Sequence, residues 1–192
     1  DGCELSSLDA DEGSGAAIYA QTGATVSATG TLFASNTAQS GGAVYLQNAS
    51  FTCTGCTFDS NEATASTHSL ALGGAVFATG ESYLSLSGSA FASNQADVGG
   101  GLAWAPTSSG GDVPELQITG SSFESNASST RGGGLSVEGT GSVVLSDITF
   151  LSNSSDTGGG AWLSTDDSID VQRAILCGNS ATDGDGGGLY VE

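Results

Sequence analysis

The 192-residue chain reads as an all-β solenoid, a parallel β-helix of about six to seven coils, and three observations carry that expectation. A glycine-led motif recurs as GGAVY (41–45), GGAVF (73–77), GGGLAW (99–104), GGGLSV (132–137), GGGAWL (158–163) and GGGLYV (186–191), with a weaker GSGAAI at 13–18. A second motif, Phe-x-Ser-Asn, alternates with it at 33–36, 58–61, 91–94, 123–126 and 150–153, and LCGN at 176–179 completes the series. The asparagines lie 25 to 33 residues apart. A coil of short strands absorbs that variation in outward turns, whereas a helical repeat needs a fixed length.

Each element of a unit has its own reason. The glycine pair suits a corner where φ turns positive, or where backbones pass too closely for a Cβ. The strand after it, aligned on the last glycine, sends inward Ala16, Ala43, Ala75, Leu102, Leu135, Ala161 and Leu189, and two residues later Ile18, Tyr45, Phe77, Trp104, Val137, Leu163 and Val191. The intervening residues then face out. Ala17, Tyr19, Val44, Leu46, Val76 and Ala78 form an apolar outer patch in this alignment, open to a partner or covered by the inserted segments 62–72 and 105–114. A second run, such as SVVLSDITF (142–150), alternates with period two and leads into the phenylalanine. Phe33, Phe58, Phe91, Phe123 and Phe150, with Leu176, are expected to stack inside. The asparagine after each stands at a corner, where stacked amides hydrogen-bond along the rod. No unit holds an amphipathic helical pattern.

The paired Phe-x-x-Asn and Gly-Gly-Ala-(Ile/Leu/Val) motifs resemble the polymorphic outer-membrane protein repeats of bacterial surface autotransporters, over nearly the whole chain. The resemblance implies a right-handed β-helix, a surface or extracellular location and a role in adhesion. The family's β-barrel has no counterpart in this sequence.

Composition narrows the function. Arg131 and Arg173 are the only cations against 21 acidic residues, for a net charge of −19. Such a surface repels nucleic acid and anionic lipid, and no apolar run is long enough for a membrane span. A single domain over 1–192 is expected, either a segment of a longer protein or a stacking subunit, with no signal peptide in view. The expected partners are other protein chains, in end-to-end or lateral homo-assembly, and possible glycans. No cofactor is expected; calcium is the one candidate weighed against a plain acidic turn.

Candidate chemistry is sparse. Calcium favours flexible oxygen-rich turns, which makes Asp183 and Asp185 in DGDGGG (183–188) the candidate ligands, with an acidic turn as the plain alternative. Glycan cleavage asks for facing carboxylates. Asp166, Asp167 and Asp170 cluster, and Asp147 lies one rung away, with Trp162 and Tyr190 as outward sugar platforms. The expectation is nevertheless a non-enzyme, with the acids as solvated surface. His68, alone of its type, reads as exposed and inert. Cys53 and Cys56 form CTGC; with no second pair for zinc, a local disulfide is expected. Cys53 shares a column with Leu86, Ile118 and Leu145. Cys3 and Cys177 fall about six rungs apart, too far to bridge, and are left as free thiols or interchain bonds. Of the sequons at Asn48, Asn126 and Asn153, only Asn48 is a plausible acceptor, because the other two belong to the ladder. Thr29, Thr31, Thr52 and Thr54 do not continue as threonine, so an ice-binding array is not expected.

Overall fold

The computed structural model describes residues 2–65, 69–108 and 113–192 and contains, among them, strands and turns wound as a right-handed parallel β-helix. Four parallel sheets form its walls. The phenylalanine sheet stacks Glu4–Ser6, Leu32–Ala34, Thr57–Asp59, Ala90–Ala92, Ser122–Glu124, Thr149–Leu151 and Ile175–Cys177. A short sheet follows each asparagine, with Thr37–Ala38, Glu62–Ala63, Gln95–Val98, Ala127–Arg131, Ser154–Ser155 and Ser180–Ala181. The glycine-led sheet holds Ile18–Gln21, Val44–Gln47, Val76–Gly80, Leu102–Pro106, Leu135–Gly139, Ala161–Thr165 and Leu189–Val191. The hydroxyl-rich sheet holds Thr25–Thr29, Ser50–Thr54, Tyr83–Ser87, Glu115–Thr119, Ser142–Ser146 and Ile169–Gln172.

Parallel pairing stacks like on like, and this explains the repeated residues. The rings of Phe33, Phe58, Phe91, Phe123 and Phe150 lie nearly parallel, with centroids 4.7, 4.5, 4.6 and 5.1 Å apart in sequence. That matches the strand spacing of about 4.8 Å, so each ring fills one rung. The asparagine column is also interior. Asn94 Nδ2 donates to Phe58 O at 3.0 Å and to Asn126 Oδ1 at 2.9 Å, while its own Oδ1 accepts from the backbone N and the Nδ2 of Asn61, both at 2.9 Å. The same bonds link Asn36, Asn61, Asn94, Asn126, Asn153 and Asn179 in one direction. The bend itself belongs to the preceding serine. Ser7, Ser35, Ser60, Ser93, Ser125 and Ser152 have φ between 53° and 56°, and Gly178 takes that place in the last coil.

At the glycine corner both proposed causes operate, one per residue. The first glycine of each Gly-Gly motif is left-handed, as at Gly41 (φ 57°) and Gly132 (φ 65°), and Gly15 takes that place in GSGAAI. The second is steric: a Cβ on Gly133 would lie 2.5 Å from Ser154 O. Where a third glycine follows, it occupies the position of Ala43 and Ala75, because the units align on their first glycine rather than their last.

This alignment corrects the expected faces. Val44 and Val76 pair in register with Ile18, Leu102 and Leu135 in one inward column, and Leu46 and Ala78 pair with Ala20 and Trp104 in the next. Val44, Leu46, Val76 and Ala78 are fully buried core residues, not an outer patch. Tyr45 and Phe77, expected inside, lie outside. The reason is the period of two: an offset of one residue exchanges the faces of a whole strand. Ala17 is half-buried against the core, and Tyr19 alone of the expected patch is exposed.

Candidate interaction surfaces

The true outer column of the glycine-led sheet is Tyr19, Tyr45, Phe77, Ala103, Ser136, Trp162 and Tyr190. Tyr19 and Tyr45 stack with centroids 5.0 Å apart, and Phe77 meets Tyr45 edge-on at 5.5 Å. Burial, and secondarily the neighbouring Tyr19, push the Tyr45 phenol above its ordinary range. Trp162 stacks on Tyr190 at 6.4 Å. Between the aromatic groups, Ala103 and Ser136 floor a cavity of about 50 Å³. Arg131 leans over it, with its guanidinium carbon 4.5 Å from the Trp162 ring centroid and an ion pair to Glu138. Trp162 is thereby nearly buried and is not an open sugar platform. Sequence reasoning missed this role for Arg131; its position directly before Gly132, as one of two cations, was the available signal.

The acids do not converge. Asp170 faces out from the hydroxyl-rich sheet, opposite Val144 in register, and accepts from Gln172 Nε2 at 2.7 Å. Asp147 is not in its column. It pairs with Arg173, through Nε at 2.5 Å and Nη2 at 2.7 Å, and that hydrogen-bonded guanidinium holds its carboxyl below the usual range. Asp166 and Asp167 are exposed in the preceding turn. Asp183 and Asp185 are exposed as well. Among the described residues no group of three or more His, Cys, Asp or Glu side chains is placed to hold a metal ion. His68 lies outside the described residues.

Cys53 and Cys56 are joined as a disulfide and fully buried, with Cys53 in register with Leu86. Cys3 and Cys177 are exposed free thiols on the first and last coils. Asn48 is exposed, with a left-handed φ of 53°, and its Oδ1 accepts from Glu81 N at 2.9 Å. Asn126 and Asn153 are fully buried in the ladder. The outermost hydroxyl-rich column continues beyond Thr29 and Thr54 as Ser87, Thr119 and Ser146, a continuity that only the register reveals.

A shallow cavity of about 420 Å³ lies beside the inserted segment, lined by Glu62, Gln95, Asp97 and Ser128 among others. Asp97 fixes its rim, accepting from Ala71 N and Ser129 Oγ at 2.9 and 2.8 Å. Its carboxylate is thus consumed in holding the segment, a role that spacing alone did not suggest.

The ends differ from the flanks. Among the described residues the exposed large apolar side chains are Leu8 and Tyr19 on the first coil, Leu70 and Val113 in the inserted segments, and Val171, Ile175, Leu176 and Val191 on the last coil. The last four are 36, 61, 41 and 54% exposed; Val171, Leu176 and Val191 top columns that are buried in every inner rung, whereas Ile175 belongs to the outward column of Thr149 and Ser122. No described helix is long and apolar enough to cross a membrane. A family model for the right-handed beta helix region matches residues 1–174. No curated protein and no solved structure matches the chain.

Proposed function

Within the right-handed beta helix family, to which this chain belongs, we propose a non-enzymatic structural or adhesive rod of the extracellular space or cell surface, stacked end to end with other protein chains or continued as part of a longer rod. One observation carries the reading. The exposed apolar side chains of the coils themselves gather on the two end rungs, where parallel strands also have an unpaired edge. Unpaired strand edges capped by apolar side chains are templates for further strands. The flanks carry mostly acids, hydroxyls and short turns, apart from the aromatic stacks of Tyr19, Tyr45 and Phe77 and of Trp162 and Tyr190 on the glycine-led sheet.

Composition supports the location and the partner class. A net charge of −19 keeps such a rod from nucleic acid and anionic membranes and suits a saline exterior. The resemblance to polymorphic outer-membrane protein repeats points the same way. Polysaccharide cleavage gains nothing from the geometry, since Asp147 is neutralised by Arg173 and Asp170 hydrogen-bonds to its neighbour Gln172.

Sedimentation velocity over a salt series tests the proposal. Screening of the like charges is expected to bring out association of the purified chain, and Ile175→Lys with Leu176→Lys is expected to abolish it. A monomer at every salt concentration would refute the role of the ends.

A further inference from the structure

The cavity of about 420 Å³ beside the inserted segment opens on the middle coils, away from both end rungs. Its volume falls in the range of small-molecule sites, about 300–1,000 Å³. Three successive coils wall it. Glu62–Ala63, Gln95–Val98 and Ala127–Arg131 are stacked strands of one sheet, and Gln95 pairs in register with Glu62 on one side and with Ala127 on the other. Parallel stacking sets Glu62 and Gln95 side by side, about 4.8 Å apart at the backbone, with Asp97 two residues farther along the second strand. Ala63, Ala71 and Ala96 form a buried apolar cluster that lines the same space.

The polar groups of this cavity are not spent on one another. Glu62 is exposed, and among the described residues nothing pairs with its carboxylate. Asp97 accepts from Ala71 N and Ser129 Oγ, but both donors are neutral, so its charge stays uncompensated. Ser128, on the third strand, lines the cavity too, and its buried Oγ has no hydrogen-bond partner among the described residues. Buried side-chain polar atoms are paired in the large majority of cases. This atom therefore points to a partner from outside those residues.

The set of groups decides the class of ligand. Among the described residues neither a cation nor an aromatic ring lines the space, and Arg131 and Arg173 are each engaged by a carboxylate elsewhere. An anion is repelled there. A quaternary ammonium lacks the aromatic cage that holds it. A calcium ion asks for six to eight oxygens, and no group of three His, Cys, Asp or Glu side chains converges among the described residues. A primary ammonium carries three donors. Glu62, the Gln95 side-chain carbonyl and Ser128 Oγ are three acceptors on successive coils. A methylene stem then lies along the alanine methyls, as lysine stems lie along apolar surface.

We propose that this cavity is a binding site for an aliphatic primary ammonium, carried by a free diamine or by a lysine side chain. Glu62 supplies the principal charge, and Gln95 and Ser128 complete the acceptors. Asp97 holds the rim and adds its field, and the alanine cluster receives the stem. The site does not depend on any role of the rod's ends.

Isothermal titration calorimetry on the intact chain tests this, in about 0.15 M salt to screen general attraction to the acidic surface. The probes are 1,4-diaminobutane, N-acetyl-lysinamide and the uncharged 1,4-butanediol. Saturable binding of an amine at one site per chain is expected, and no binding of the diol. Tighter binding of the diamine assigns the free molecule as the ligand; tighter binding of N-acetyl-lysinamide assigns a lysine side chain. Glu62→Gln is expected to weaken binding about tenfold or more, the loss of a hydrogen bond to a charged group. Glu12→Gln removes the same charge from an exposed turn of the first coil and is expected to leave binding unchanged. Ser128→Ala is expected to weaken binding with an unchanged thermal melt, because its Oγ bonds nothing among the described residues of the free chain. Absence of amine binding, a diol that binds as tightly as the diamine, or equal weakening by Glu62→Gln and Glu12→Gln overturns the proposal.

Discussion

Asn94→Ala is expected to be among the most damaging single substitutions in the chain. Asn94 sits at the middle of the ladder and is almost wholly buried. Its Oδ1 is the acceptor for both the backbone N and the Nδ2 of Asn61. Its Nδ2 serves Phe58 O and Asn126 Oδ1. Truncation to alanine strands two buried donors on Asn61, each costing about 1–3 kcal/mol. Asn126 Oδ1 keeps a partner in the backbone N of Asn94, so it adds little. The sum is about 2–6 kcal/mol, set against a total stability of about 5–15 kcal/mol for a typical domain. Urea unfolding followed by circular dichroism reads this as a midpoint lowered by about 1–3 M. Asn179→Ala is the internal control. It removes the same kind of acceptor from Asn153, but at a half-exposed end rung where water can take over the bonds, so the expected loss is about 1 kcal/mol or less. Equal losses for the two variants would refute the view that buried amide pairing, rather than local turn propensity, sustains the ladder.

The corrected register is tested by Leu46→Glu against Tyr45→Glu: the first puts a carboxylate into a fully buried column and is expected to prevent folding, the second to cost about 1 kcal/mol or less in thermal melts. The reverse order would show that the faces are misassigned. Reduction of the Cys53–Cys56 bond, which closes a loop with a sequence separation of 3, is expected to cost only about 2 kcal/mol, read from urea midpoints with and without reductant. An unchanged midpoint would mean that the bond is absent in solution. Arg173 lowers the Asp147 carboxyl below its ordinary 3.8, so this pair stabilises the fold above that value and the contribution is lost as pH falls through the lowered one. The stability difference between wild type and Asp147→Asn should therefore hold steady near neutrality and shrink in acid; a difference that grows in acid contradicts the pairing. In a eukaryotic secretory host, folded protein is expected to carry glycan at Asn48 and none at Asn126 or Asn153, whose amides are buried in the ladder. Site mapping by mass spectrometry that found occupied Asn126 in folded material would contradict this.

The architecture and its interior columns were legible in the sequence because parallel stacking is a one-dimensional rule. Each coil places the same residue type at the same height, so Phe91 over Phe58 and Asn94 over Asn61 appear in the sequence as a repeat. Cys53 could be assigned to the column of Leu86 for the same reason. Tertiary structure decided whatever depended on phase between coils. Two glycines or three can fill one corner, and only backbone pairing shows that the first glycine sets the register and that Val44 and Leu46 point inward. Alternation with period two makes that single residue of phase decide a whole face. Tertiary structure also decided which acids find partners, since Arg173 reaches Asp147 across 26 residues and Asp97 turns to hold the inserted segment. The polarity of the rod belongs to the structure as well. An asparagine column looks the same read in either direction along the sequence, but its hydrogen bonds run one way, because each amide has its donors on one atom and its acceptor on another.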